Sequence, residues 1–240
     1  MRSLNTPLST VAHGRRISHV LALAACLAAP ASWAGRPLVT EDAEVLARGE
    51  CEIEGFFGRV EKPRGDSHSL QLGCGVGGGT QLGLGAGRDR SEDDRVNAIA
   101  VNGKTGLREP SPGQPGLAIA YAASGLKHFG GPLRLDASEI KGVATLDSDG
   151  WLYHFNAGWA YAHEERAHRA IWALAVERPN ALGPIDLMAE TFGDNKSNPW
   201  VQLGARWAVV PERLFLDASW GLQSRHGRPR QATLGFTLKL

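Results

Sequence analysis

The chemistry-bearing residues of this chain recur at alternate positions rather than in compact motifs. Glu52, Glu54, Lys104, His154, Glu177, Asp186, Glu190, Arg206, Asp217 and Lys239 each stand within an alternation of small or polar residues with apolar ones. In a strand, alternate side chains share one face, so this spacing predicts a charged lining. Such a lining can pair internally or guide a solute. Hydrolysis would need a nucleophile, a base and an orienting acid at one level. Ser219, His154 and Asp217 supply the types. However, Asp217 and Ser219 fall on one predicted strand, His154 falls four strands earlier, and no nucleophile signature surrounds Ser219. The reading is therefore of a non-enzyme without cofactor. Neither a spaced Cys/His cluster nor an HExxH run is present, so no metal site is expected. Gly77-Gly78-Gly79 lacks the following Gly-Lys-Ser/Thr of a phosphate loop, and Arg64-Gly65-Asp66, an adhesion-type tripeptide in a predicted surface loop, is short enough to arise by chance.

Lys and Arg number 26 and Asp and Glu 25, which excludes a strongly basic nucleic-acid binder. Glycine is the compositional outlier, 30 of 240 residues, against an average near ~7%. Residues 1–34 have the form of a cleaved signal peptide: Arg15-Arg16, an apolar run from Val20 to Ala31, and a small-x-small site at Ser32-Trp33-Ala34. Leu23-Ala24-Ala25-Cys26 also fits a lipoprotein box, as a rival processing site. Beyond the leader no apolar stretch is long enough for a transmembrane helix.

The elements that must carry the alternating residues are strands. Trp151, Tyr153, Phe155, Ala157, Trp159 and Tyr161 fall on one face, and Leu152, His154, Asn156, Gly158, Ala160 and Ala162 on the other. The same period runs through 67–77, 80–88, 200–210 and 231–240, and about twelve such segments tile residues 49–240. Connections alternate between charged stretches (61–66, 89–95, 163–168, 193–199, 224–230) and ones that are shorter or richer in Gly and Pro. Two classes of turn and an even strand number describe an antiparallel up-and-down barrel with both chain ends on one side. Residues 35–48 precede it as a periplasmic or lumen-tucked segment.

One face is smooth, apolar and tipped with aromatics, and the other is small with scattered charge, which suits apolar-out packing in lipid. Trp151 and Trp159 lie roughly 27 Å apart along one strand, or roughly 19 Å of depth at a tilt of about 45°. That separation matches two interfacial girdles. Trp151, Tyr153, Trp159, Tyr161, Trp172, Trp207 and Trp220 are the candidate interfacial aromatics, whereas Trp200 falls on the opposite parity. Cys51 and Cys74 would stand opposite each other across a hairpin centred on Lys62-Pro63. In an oxidising compartment they either form a cross-strand disulfide or remain two lipid-facing thiols.

Three stretches carry a family likeness: Arg36-Pro37-Leu38-Val39-Thr40-Glu41-Asp42-Ala43 with Glu50–Glu54; Gly79–Gly85; and Asp186–Gly193 followed by Leu203–Trp207, Val210–Leu214 and Asp217–Gly221. Through them the chain resembles outer-membrane β-barrel transporters of the MetA-pathway of phenol degradation type. The resemblance implies an outer-membrane location and passage of small solutes, hydrophobic or aromatic ones among them. The expected partners are outer-membrane lipid, a small-molecule solute, and the barrel-assembly machinery. That machinery would recognise the terminal strand, whose apolar alternation runs to Leu240. A sealed barrel serving as a surface scaffold is the alternative.

Overall fold

The computed structural model describes residues 36–61, 64–91, 94–111, 113–224 and 229–240. The signal peptide and the lipoprotein box around Cys26 lie outside the described residues. The strands are β1 (Cys51–Glu61), β2 (Arg64–Gly77), β3 (Thr80–Ser91), β4 (Arg95–Arg108), β5 (Gly116–His128), β6 (Arg134–Ser148), β7 (Trp151–Ala162), β8 (Ala167–Arg178), β9 (Ile185–Asp194), β10 (Trp200–Val210), β11 (Leu214–Gln223) and β12 (Arg230–Lys239). Each pairs antiparallel with its sequence neighbours, and β12 returns to β1 to close the barrel. The closing ladder runs from Glu52↔Lys239 to Val60↔Gln231. Closure leaves no unpaired strand edge.

At the end that holds β1's start and β12's finish, the turns after β2, β6 and β10 are tight. Asp149 (φ 53°) and Gly150 (φ 74°) join β6 to β7 in left-handed conformations. That is the two-residue hairpin geometry whose twist matches the flanking strands. At the opposite end, two of the charged stretches expected as loops, 61–66 and 89–95, are mostly ladder, and 163–168, 193–199 and 224–230 lie mostly between strands. Arg64-Gly65-Asp66 belongs to β2 rather than to a loop, with Asp66 paired to Arg59 and Arg90 in register. Apolar alternation marks only the belt of each strand, while backbone pairing continues past it among charged residues.

Burial is inverted relative to a water-soluble protein. Leu70, Leu84, Val101, Ile140, Phe155, Trp159, Leu203 and Leu234 are exposed, while Lys104, Gln81, Glu190, Gln202, His154 and Asn156 are buried. Water-soluble monomers rarely expose so continuous an apolar surface. Burial inside comes from polar contacts and two small apolar clusters: Leu38 with Ala175 and Met188, and Ala43 with Ala118, Ala120 and Val143. Both clusters join the barrel wall to the segment before β1. Cys51 and Cys74 are register partners and are disulfide-bonded, on the outward face at the end that holds β12's finish.

Candidate functional site

The interior is crossed by residues 36–48, a strap that leads into β1. Its backbone would be orphaned inside a barrel unless the wall supplied partners, and inward side chains do so. Val39 N and Thr40 N each donate to the Glu190 carboxylate at 2.9 Å, and Thr40 Oγ1 adds a bond of 2.7 Å. Glu41 N donates to Asn156 Oδ1 at 2.7 Å, and Asn156 Nδ2 returns a bond to Glu41 O at 2.9 Å. Ala43 N donates to Thr145 Oγ1 at 2.9 Å, and Leu46 N to Gln81 Oε1 at 2.7 Å. Gln202 Nε2 serves both Pro37 O (3.0 Å) and Glu190 Oε1 (2.9 Å). Strands β3, β6, β7, β9 and β10 thus hold one peptide from different sides.

Charge holds the strap at its first residue and in its middle. Arg36 reaches Asp217 with a forked pair of bonds, 3.1 and 3.3 Å, and stacks its guanidinium 4.4 Å over Phe56. A two-pronged guanidinium–carboxylate contact is the stronger kind of ion pair. In the middle of the strap, Lys104 Nζ lies 2.8 Å from Asp42 and 3.8 Å from Glu41, and Lys141 Nζ lies 3.4 Å from Glu41 and 3.2 Å from Glu139. Lys104 is 1% exposed. A lone buried ammonium would be untenable there, and paired carboxylates make it tolerable. Burial pushes Asp42 upward, but the Lys104 ammonium beside it more than reverses this and holds it below the ordinary carboxylate value. Asp42 in turn raises the neighbouring Glu44, and burial acts the same way.

Small residues on the wall make room. A Cβ on Gly204 would stand 2.6 Å from Pro37 Cγ; one on Gly235 would collide with the Arg36 side chain, and one on Gly75 with the backbone of Leu46 and Ala47. The glycine-rich inner face is therefore partly the imprint of the strap.

A second cluster lies beside it. Arg206 bonds Glu177 and sits 2.8 Å from Asp186. Glu177 is 3.8 Å from His154 Nε2, and His154 Nδ1 is 3.0 Å from Thr145 Oγ1. Arg206 and Lys239 both lie 5.8 Å from the Phe215 ring. Glu54 accepts from Thr237 at 3.4 Å. Glu52 and Lys239 are register partners at the terminal rim, where Lys239 is exposed. His154, Ser219 and Asp217 are not brought together: Ser219 Oγ meets Thr233 Oγ1 at 2.7 Å, and Asp217 is engaged by Arg36.

Trp151, Trp159, Trp172, Trp207 and Trp220 are exposed on the outer surface, and Tyr153 and Tyr161, on the same face, are half-buried; Trp200 is buried. Trp159 Nε1 donates to His168 Nδ1 at 3.1 Å. Reading the strands alone does not find Arg36, Glu41, Asp42, Glu139 and Lys141. The first three lack any period, and the last two sit on the strand with the weakest alternation. The available signal is the run of amides at alternate inward positions, Gln81, Asn102, Asn156 and Gln202, whose donors and acceptors suit a backbone. Among the described residues no group of three or more His, Cys, Asp or Glu is placed to hold a metal.

In comparisons with known proteins, the profile of a family described as "Uncharacterised conserved protein UCP029691" matches residues 22–240. No curated protein matches the chain. Among solved structures, the NanC porin superposes with a TM-score of 0.61 at 8% identity, covering 78% of this chain and 100% of that one. The KdgM porin in complex with disordered oligogalacturonate gives 0.57 at 9%, covering 78% and 98%. Outer membrane phospholipase A from Escherichia coli gives 0.50 at 9%, covering 85% and 92%. At such identities the likeness is one of fold: a closed antiparallel barrel similar to outer-membrane porins.

Proposed function

The chain belongs to the family of the uncharacterised conserved protein UCP029691, and we propose that it is an outer-membrane barrel acting as a passive channel for small solutes, with residues 36–48 as its internal gate. The observation that carries this reading is the strap itself, a peptide held across a polar lumen by side chains on several strands. Its anchors are hydrogen bonds and ion pairs, which water can replace when the segment moves. Among the described residues, its buried apolar clusters with the wall are small and centre on Leu38 and Ala43. Porins similar in fold support the channel class. The exposed apolar belt with its tryptophans supports a membrane location, reached by way of a leader cleaved after Ala34.

The lining favours neutral or weakly cationic solutes. Inward acids (Glu41, Asp42, Glu52, Glu54, Glu139, Glu177, Asp186, Glu190, Asp217) outnumber Arg36, Lys104, Lys141, Arg206 and Lys239. An acidic oligosaccharide such as the one bound by the KdgM porin would be repelled by this excess. Small aromatic compounds, the solutes implied by the resemblance to the phenol-degradation type, carry no such penalty. The second reading, a sealed scaffold, draws on the density of the same network.

Planar-bilayer recordings and liposome swelling on the refolded chain separate the two. The full chain should conduct weakly and intermittently. Deletion of residues 36–47, or Glu190→Ala, which removes the acceptor for the Val39 and Thr40 amides, should raise conductance and admit phenol. If both variants fold yet neither conducts nor takes up solute, the barrel is a scaffold.

A further inference from the structure

The outward surface of the first strands changes character abruptly toward the end away from the chain termini. Ladder register aligns Leu72, Leu84 and Val101 in one outward row and Leu70, Ala86 and Ile99 in the next. The following row is His68, Arg88, Asn97 and Lys127, and the one beyond is Arg59, Asp66, Arg90 and Arg95. Successive rows lie about 7 Å apart along the strand, so bare hydrocarbon gives way to guanidinium groups within two steps. Around the last row is a cavity of about 660 Å3 lined by Arg59, Arg64, Asp66, Arg90, Arg95 and the exposed Phe129, among others.

Among the described residues, positive charge is in excess there. Of the two acids that line the cavity, Asp94 is engaged by His128 at 2.6 Å, and Asp66 is 3.9 Å from Arg59. Among the described residues, Arg64, Arg90 and Arg95 have no carboxylate within 4.0 Å; Glu92 and Asp93 of the β3–β4 turn lie outside the described residues. Toward the same end of β7 and β11 the outward residues include Trp159, Tyr161 and Trp220, the usual interfacial types.

We infer that this arginine cluster is a binding site for the phosphate groups of an outer-leaflet lipid headgroup. Guanidinium forks match phosphate oxygens in pairs, and several converging on one cavity suit a headgroup bearing more than one phosphate. The source is a lipid because the cationic rows continue directly into the apolar ones on the same outward face. A phosphorylated amphiphile satisfies both at once, with phosphates on Arg59, Arg90 and Arg95 and acyl chains along Leu70, Leu84 and Ile99. A soluble phosphate would use only the upper half. The inference rests on the outer-membrane reading but not on conduction.

The test uses the full refolded barrel in neutral detergent, with native mass spectrometry and a thermal shift. The probes are bis-phosphorylated lipid A, the same lipid stripped of phosphate, and glucosamine 1-phosphate. Bis-phosphorylated lipid A should bind and raise the melting temperature, and each of the other two should bind about tenfold or more weaker, as expected for loss of several charge-assisted bonds or of the acyl contacts. The Arg59→Gln/Arg90→Gln/Arg95→Gln variant should lose the lipid by about tenfold or more. Arg230→Gln, outward on β12, should behave as wild type. All four residues are exposed, so the variants should fold. Equal binding of the phosphate-free lipid, or wild-type binding by the triple variant, overturns the site. Equal binding of glucosamine 1-phosphate overturns the lipid source. Conductance of the triple variant should be unchanged; a barrel that never conducts but still discriminates between the lipids refutes the channel and keeps this site.

Discussion

At the residue scale, the lumen shows why alternating charge in a sequence reads as a lining but not as a lock. Lys104 stands in β4 among small residues, and its type and parity place it inward. Nothing in the strand announces that Asp42 and Glu41 meet it, because those acids lie about sixty residues away in a stretch without period. Lys104→Met should therefore act on the strap more than on the barrel. Removing one partner of a buried ion pair costs about 3–5 kcal/mol where the remaining charge stays buried. Here that charge can escape by releasing the strap. The expected outcome is faster hydrogen exchange at amides 39–43 with strand amides unchanged, and adding Asp42→Asn should recover part of the protection. Uniform loss of protection throughout the barrel would show that Lys104 supports the wall instead. The cysteines were legible in a different way. Their positions fix them opposite each other once the hairpin centre is placed at Lys62-Pro63, and the register Cys51↔Cys74 agrees. Whether they bond depends on proximity that parity alone does not supply.

At the element scale, the strands were readable because lipid on one side and polar packing on the other impose a period of two. What the period missed were the strand ends. β2 begins at Arg64 and β6 runs to Ser148, beyond the alternation, because backbone pairing persists where side chains leave the apolar belt. The segment 35–48 could be read only as periplasmic or lumen-tucked for the opposite reason: its hydrogen bonds go to side chains, so no repeat is imposed on it. The two faces of β7 give a direct test. Phe155 is outward and 48% exposed, and an arginine there meets hydrocarbon at a cost of about 2–4 kcal/mol near mid-depth. Asn156, one residue on, is inward but not free, since it exchanges two hydrogen bonds with Glu41. Phe155→Arg should abolish the heat-modifiable band that marks a folded barrel on an unboiled gel. Asn156→Arg should keep that band yet raise conductance by dislodging the strap. If both variants lose the band, the inner face tolerates less than the strap reading requires.

At the scale of the whole molecule, the closed ladder separates two roles that fall on the same terminal strand. β12 closes the barrel through its ladder to β1, ending with Leu240 N donating to Cys51 O at 2.8 Å. That bond is made by backbone and is indifferent to side-chain type. The Leu240 side chain is 63% exposed and sits at the rim, so it contributes little to packing. Yet it completes the apolar alternation of Ala232, Leu234, Phe236 and Leu238, the pattern expected to be recognised by assembly machinery. Closure and recognition should therefore come apart in Leu240→Asp. For a surface substitution away from special features the stability change should stay within about 0.5 kcal/mol. Purified variant and wild type should then refold alike in detergent, with the same shift on boiling. In cells, the variant should accumulate in the outer membrane several-fold less than wild type, and a Phe236→Ser/Leu240→Asp double variant less again. Normal cellular levels together with normal refolding would mean that the terminal side chains carry no targeting information, and that closure by β1 and β12 is all the last strand provides.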